Sequence, residues 1–256
     1  MLALTSWHLG EVDRARGLIE AANRRAAEIN HVLSMAIPHY LKCLLEIVRG
    51  DASAALIASK SLDALSREHG MALLESRAKL CSSWANGRLH DPKDGSAKFQ
   101  QTLAAMIASS QTVDTAFFLG LLAQLEAEAG GAESALARLD EAFALAGQGE
   151  SRFYLAFLHR LRGDLLLKSN PEEPSLPERA YQASIAVAKE QGARSLALLA
   201  ALPLAKLYQS SGRPSEAHAV LAPALEGFAA TPEMPEIAEA QALLVAIEAD
   251  AHVRRE

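Results

Sequence analysis

The chain has 256 residues, is half hydrophobic by count and only 5% aromatic, and alanine and leucine together supply roughly a third of it. Both are strong helix formers and strand-favouring residues are scarce, which argues against a sheet-based enzyme fold. The formal net charge is −6, from 25 Lys and Arg against 31 Asp and Glu. Basic residues cluster only at Arg14/Arg16/Arg24/Arg25 and Arg152/Arg160/Arg162, so the basic stripe of a nucleic-acid binder is missing.

Hydrophobic periodicity predicts about thirteen helices, near 2–9, 11–28, 31–49, 52–68, 71–88, 95–109, 112–129, 132–147, 151–168, 176–191, 193–210, 214–229 and 234–250. Gly10-Glu-Val-Asp-Arg-Ala15 separates the first two, and Gly50-Asp-Ala-Ser-Ala-Ala55 follows the third. Asp51 is placed to cap the fourth helix, and Pro38 falls inside the third. His90-Asp-Pro-Lys-Asp-Gly95 reads as a turn-rich loop, and Asp114 reads as the cap of the seventh helix. Gly130-Gly-Ala-Glu-Ser-Ala135 precedes the eighth, and the proline-rich segment 169–177 precedes the tenth. Gly212-Arg-Pro-Ser-Glu-Ala217 closes the series, with Ser215 as a cap and Pro203 and Pro223 within helical patterns.

These segments are copies of one unit: a glycine that ends a helix, then an alanine five residues later where two helices close. Weaker copies place Ala97 after a Gly87 loop and Ala180 after Gly163, giving alanines at 15, 55, 97, 135, 180 and 217. Their mean spacing of about 40 lies in the helical-repeat range. The fold class expected is all-α, a single domain over 1–256 in which about six antiparallel helix pairs stack as a right-handed superhelix. The repeats fall near 1–29, 30–69, 70–110, 111–148, 149–192 and 193–230, with a capping helix over 231–252. Only nine residues precede Gly10, where full copies have about eighteen. A C-terminal fragment of a larger protein is expected to look like this.

The Gly and Ala spacing resembles tetratricopeptide repeats, although the unit exceeds their standard length and most copies lack their tryptophan. The phrase from Ser151 to Leu167 (SRFYLAFLHRLRGDLLL) resembles one in the C-terminal array of bacterial multidomain signalling ATPases. So do 180–188, Gln191-Gly-Ala-Arg-Ser-Leu196, Leu204-Ala-Lys-Leu-Tyr208 and Glu216-Ala-His-Ala-Val-Leu-Ala-Pro223. In that family a nucleotide cyclase or winged-helix DNA-binding domain comes first, then a P-loop ATPase, then the helical array. The resemblance implies a signalling or transcription-regulating protein of which this chain is the array. No Gly-x-x-x-x-Gly-Lys-Ser/Thr occurs, so the phosphate-cradling loop is not in this segment.

No catalytic constellation, cofactor site or metal site is expected. His39 and Cys43 share a helix face, but nothing completes a zinc set and the pair reads as packing. Asp91-Pro-Lys-Asp-Gly95 fails the spacing of a calcium loop, and Cys81 reads as a small core residue. Glu126/Glu128 and Glu172/Glu173 read as solvated charges, and Phe117/Phe118, Phe153/Tyr154/Phe157 and Tyr181 as core filling. Projecting repeat geometry, Tyr40, Arg77, Gln124, Arg160 and Lys206 face a concave groove. Arg152, His159, Arg160 and Arg162 form a cationic patch suited to an acidic peptide or anion. The partners expected are a protein or peptide, domains upstream in the same polypeptide, or a small-molecule effector, with neither nucleic acid nor membrane contacted. The alternative is a scaffold that self-associates as a homo-oligomer. Two cysteines make no disulfide framework and no secretory leader is evident, which suits the cytoplasm. The longest apolar run, 196–205, is too short for a membrane span.

Overall fold

The computed structural model describes residues 2–29, 31–147 and 150–253. Among the described residues there are thirteen α-helices and no strand. They are α1 (Leu2–His8), α2 (Val12–Ile29), α3 (Val32–Val48), α4 (Ala52–Glu68), α5 (Ala72–Leu89), α6 (Pro92–Ala108) and α7 (Thr115–Glu128). There follow α8 (Ala132–Ala146), a 3-10 turn (Glu150–Tyr154), α9 (Leu155–Ser169), α10 (Ser175–Glu190), α11 (Arg194–Ser210), α12 (Pro214–Leu225) and α13 (Glu236–Val253). The chain divides into two compact units, Met1–Trp7 with Asp13–Ser151, and His8–Val12 with Arg152–Glu256.

Within the first unit each helix from α3 to α8 packs on its chain neighbour, and α5 also packs on α3 and on α7. The second unit repeats this scheme: α9 to α13 pack in order, and α11 contacts both α9 and α13. Such packing is that of stacked helix pairs, in which no pair buries its apolar face alone. The core is small-residue and leucine rich, with Ala15, Ala55, Leu62, Ala78, Leu80, Ala135 and Leu139 fully buried in the first unit. Both tryptophans, Trp7 and Trp84, are buried there as well. In the second unit Ala188, Leu198, Ala201, Ala217 and Leu221 play the same part.

The helix-ending glycines are confirmed, and one mechanism recurs. Gly50 has φ +76; its N–H donates to the Ile47 carbonyl at 2.9 Å, and the next N–H, of Asp51, reaches back to Glu46 O at 2.9 Å. This pair of hydrogen bonds satisfies the last carbonyls of the helix and requires a left-handed residue, a conformation glycine adopts without a Cβ clash. Gly70, Gly130, Gly192 and Gly212 make the same pair of bonds. After α6 the position falls to Ser110 at φ 60, with Ser110 N–H to Ile107 O at 3.0 Å and Gln111 N–H to Met106 O at 2.9 Å.

Several sequence expectations are corrected. Gly87 lies inside α5, not in a loop. The 90–95 segment is mostly helix: Asp91 caps α6 by accepting the Lys93 N–H at 2.9 Å, and Pro92 occupies the first turn, where its missing N–H costs nothing. Gly95 then approaches Gly87 so closely that a Cβ on it would lie 2.4 Å from the Gly87 Cα. The small residue of this repeat is therefore Gly95 and not the exposed Ala97, which restores an interval of 40 along 15, 55, 95 and 135. Asp51 caps α4 as expected, accepting Ala54 N–H at 2.9 Å. Asp114 does not cap α7, and Ser215 lies within α12, after Pro214 at its first turn.

Candidate functional site

In the first unit the odd-numbered helices α3, α5 and α7 supply one cluster of polar side chains. The Tyr40 hydroxyl, on α3, donates to Asp114 Oδ2 at 3.3 Å. The Arg77 guanidinium, from α5, lies over the Tyr40 ring at 4.7 Å and pairs with the same carboxylate oxygen at 3.6 Å. Asp114 precedes α7 at φ 65, a left-handed conformation that is costly for a residue with a Cβ. In that conformation it forgoes the helix cap, and its carboxylate meets Tyr40 and Arg77 instead. Tyr40, expected to face a groove, is buried: its ring is the bed on which the guanidinium rests. Arg77 keeps 12% of its side chain exposed, and its Nε is buried without a hydrogen-bond partner.

Further along the same helices, Trp84 Nε1 donates to Gln124 Oε1 at 3.0 Å, and Arg88 pairs with Glu128. Gln124 is thus half-buried and spent on orienting an indole. Beneath the helices, Cys43 and Cys81 are both buried, and their contact together with burial pushes the Cys43 thiol well up. Burial first, and Lys42 second, lower the His39 imidazole. Two open clefts flank this unit. One, of about 510 Å³, is lined by Ser76, Lys79, Gln101, Thr102, Met106 and Ser109. The other, of about 530 Å³, is lined by Ile107, Thr112, Thr115, Leu119, Glu141 and Leu145. In the first, Ser76 Oγ donates to the Ala72 carbonyl at 3.0 Å and Lys79 pairs with Glu75 at 2.7 Å; among the described residues no group of three or more His, Cys, Asp or Glu could hold a metal.

In the second unit two of the expected cationic residues, Arg160 and Lys206, are paired with carboxylates. Arg160 donates to Asp164 Oδ2 at 2.7 Å one turn along α9, and Tyr181 donates to Asp164 Oδ1 at 2.8 Å. The Tyr181 hydroxyl is pushed far up, by burial and then by Asp164. His159 is half-buried and its imidazole is lowered by burial and then by Arg162. Arg152 is exposed, and its backbone carbonyl accepts from Gln191 Nε2 at 2.8 Å. Lys206 pairs with Glu239 at 2.6 Å. With Arg160 and Lys206 each matched to a carboxylate, the field available to an anion is weaker than the sequence alone implies.

Sequence reasoning missed the contacts of Asp114 with Tyr40 and Arg77, the Trp84–Gln124 bond and a network on α10 to α12. There Glu178 accepts from Arg213 Nη1 at 2.7 Å and from the Tyr208 hydroxyl at 3.0 Å, and the Arg213 bond is the main cause of its lowered pKa. The signal for the Trp84–Gln124 bond lay in the register, since it spans 40 residues, as does the Arg88–Glu128 pair.

The fold and this polar face define an all-helical array with repeat-like packing. No family model matches the chain. It is 24% identical over 195 residues to an uncharacterized protein of Rhizobium meliloti (strain 1021), an alignment covering 76% of this chain and 19% of that protein. The chain therefore spans about a fifth of the length of that relative. Among the described residues no helix is long and apolar enough to cross a membrane.

Proposed function

We propose that this chain is a tetratricopeptide-like superhelix of helix pairs, and a non-catalytic recognition module of a larger bacterial signalling regulator. A protein or peptide docks on the face made by α3, α5 and α7, and occupancy is relayed to ATPase and effector domains elsewhere in the polypeptide. One observation carries the docking reading. Three helices in one register surround a guanidinium that is nearly buried, stacked on Tyr40, and held by an ion pair longer than a hydrogen bond. The contacts from Tyr40 and Arg77 accompany a left-handed backbone at Asp114, and strained residues cluster where binding is organised. The greater length of the Rhizobium meliloti relative supports membership in a longer polypeptide, and the resemblance to signalling ATPases supplies the effector.

A randomised peptide library displayed against the immobilised chain tests the reading. Wild-type protein is expected to enrich a consensus that Arg77→Ala loses, as does Leu73→Asp at an exposed leucine one turn earlier on α5; the same enrichment on all three refutes it. For the relay, a full-length regulator whose nucleotide turnover is unchanged by deleting this array refutes the coupling.

A further inference from the structure

The two clefts that flank the first unit are one cleft met twice. Ser76 and Lys79 on α5 stand 40 residues before Ala116 and Leu119 on α7. Gln101 and Ala105 on α6 likewise stand 40 before Glu141 and Leu145 on α8. Each cleft thus opens between the two helices of a hairpin, at the end away from their connecting turn. Beside that turn α5 and α6 touch at Gly87 and Gly95, and the cleft begins about three turns of helix away, at Ser76. Repeat geometry makes both voids, and their volumes, about 510 and 530 Å³, agree. The chemistry is what changes. Serine, lysine, glutamine and threonine line the first, whereas Ile107, Leu119 and Leu145 line the second. Ile107 and Leu145 are left 43% and 41% exposed. Aliphatic side chains gathered on a concave site, where the preceding repeat places polar ones, mark a binding surface.

We infer that the second cleft binds a small apolar alcohol or phenol. Its volume lies within the range of small-molecule sites, about 300–1,000 Å³. Thr115 and Glu141 set the polar end of the ligand. Thr115 is only 7% exposed, and its hydroxyl donates to the Thr112 carbonyl at 2.7 Å, so its oxygen is left as an acceptor. The Glu141 carboxylate is also an acceptor, and Arg138 Nη1 donates to both of its oxygens at 3.0 Å. A ligand carboxylate would meet like charge from Glu141 and a lone pair from Thr115. A cation gains little, because Arg138 already balances Glu141 and the new charge loses its water without an equal return. A neutral hydroxyl supplies the proton that Thr115 can accept, and an apolar body covers Ile107, Leu119 and Leu145. None of the lining residues is Tyr40, Arg77 or Asp114, and a ligand here does not require peptide docking on that face.

Titration of the purified chain with β-naphthol, followed by the ligand's own fluorescence, tests the site against two compounds of the same ring system. β-Naphthyl methyl ether lacks the donor, and β-naphthoate carries the negative charge. Naphthol is expected to bind about fivefold more tightly than the ether, the worth of one net hydrogen bond. It is expected to exceed the naphthoate by at least about tenfold, since a buried charge without a partner is costly. Ala144→Phe, at an exposed position of the second cleft, puts a ring in the void and is expected to weaken naphthol at least about tenfold. Ala105→Phe does the same to the first cleft and is expected to leave naphthol binding unchanged. Thr115→Val, checked for unchanged helicity, is expected to erase the preference for naphthol over the ether. Equal binding of all three compounds overturns the assigned chemistry. Absence of naphthol binding, or binding that Ala144→Phe spares or Ala105→Phe abolishes, overturns the site. The peptide-library test of the docking face is unaffected by either result.

Discussion

The contact between Gly87 on α5 and Gly95 on α6 makes a sharp prediction about two alanine substitutions of opposite effect. In Gly95→Ala the new methyl would lie 2.4 Å from the Gly87 Cα, 2.9 Å from Gly87 N and 3.0 Å from Ser83 O. All three are backbone atoms, so no side chain can swing aside. Carbon atoms in contact sit about 3.5–4.0 Å apart, so the two helices must separate by more than an ångström or tilt. Overpacking of this kind costs about 1–3 kcal/mol, and the backbone location puts it at the upper end. Alanine returns at most about 1 kcal/mol through its better helix propensity. The net loss is about 2 kcal/mol, which for a chain of this size lowers the melting temperature by about 4–8 °C. Gly17, inside α2, is the control, because a Cβ there meets nothing within 4 Å. Gly17→Ala therefore keeps the propensity gain and raises the melting temperature by about 1–4 °C. Thermal unfolding followed by circular dichroism at the helix band measures both. A Gly95→Ala protein that melts at or above the wild-type temperature would refute the close-packing argument.

Ser110→Gly relieves a left-handed serine at the end of α6 and is expected to stabilise by about 0.5–1 kcal/mol, read as a higher urea midpoint. The His8 imidazole is buried against Phe153 and depressed to about 4, so between there and its ordinary value of 6.5 the unfolded chain binds more protons than the folded one. Stability is thus fully present above about pH 6.5 and falls as pH drops towards 4, by up to about 3 kcal/mol. His8→Phe should flatten that part of the pH profile, and an unaltered slope would show that another group causes it. Cys43 and Cys81 are both buried, and the Cys43 thiol is held protonated. Neither should react with a thiol reagent in the native protein, while both react in denaturant; rapid labelling of the native chain would count against their burial.

How much of this could be read from the sequence depends on how local each determinant is. The helices and the glycine turns at Gly50, Gly130 and Gly212 were legible, because a left-handed helix end advertises itself by residue type. Ser110 adopts the same conformation without that signature, so the turn after α6 was not. Asp51 and Asp114 show the limit of type alone: both precede a helix, yet one caps it and the other turns its carboxylate towards Tyr40 and Arg77. Proline and two glycines over 87–95 read as a loop, whereas Pro92 starts a helix and the glycines let two helices touch. The Tyr40, Arg77 and Asp114 cluster joins residues up to 74 apart, and becomes visible only once the repeat register aligns α3, α5 and the entry to α7.

The placement of the two tryptophans gives the protein an unequal optical signature. Trp7 and Trp84 both belong to the first unit, while the second carries tyrosines and phenylalanines alone as its aromatic chromophores. Excitation at the red edge of the indole band therefore illuminates one half of the molecule and leaves the other dark. Compared with the helix signal, which both halves produce, indole emission becomes a built-in label for one unit. A denaturation in which the two signals part company would reveal the halves melting in sequence, without a dye attached or a residue changed.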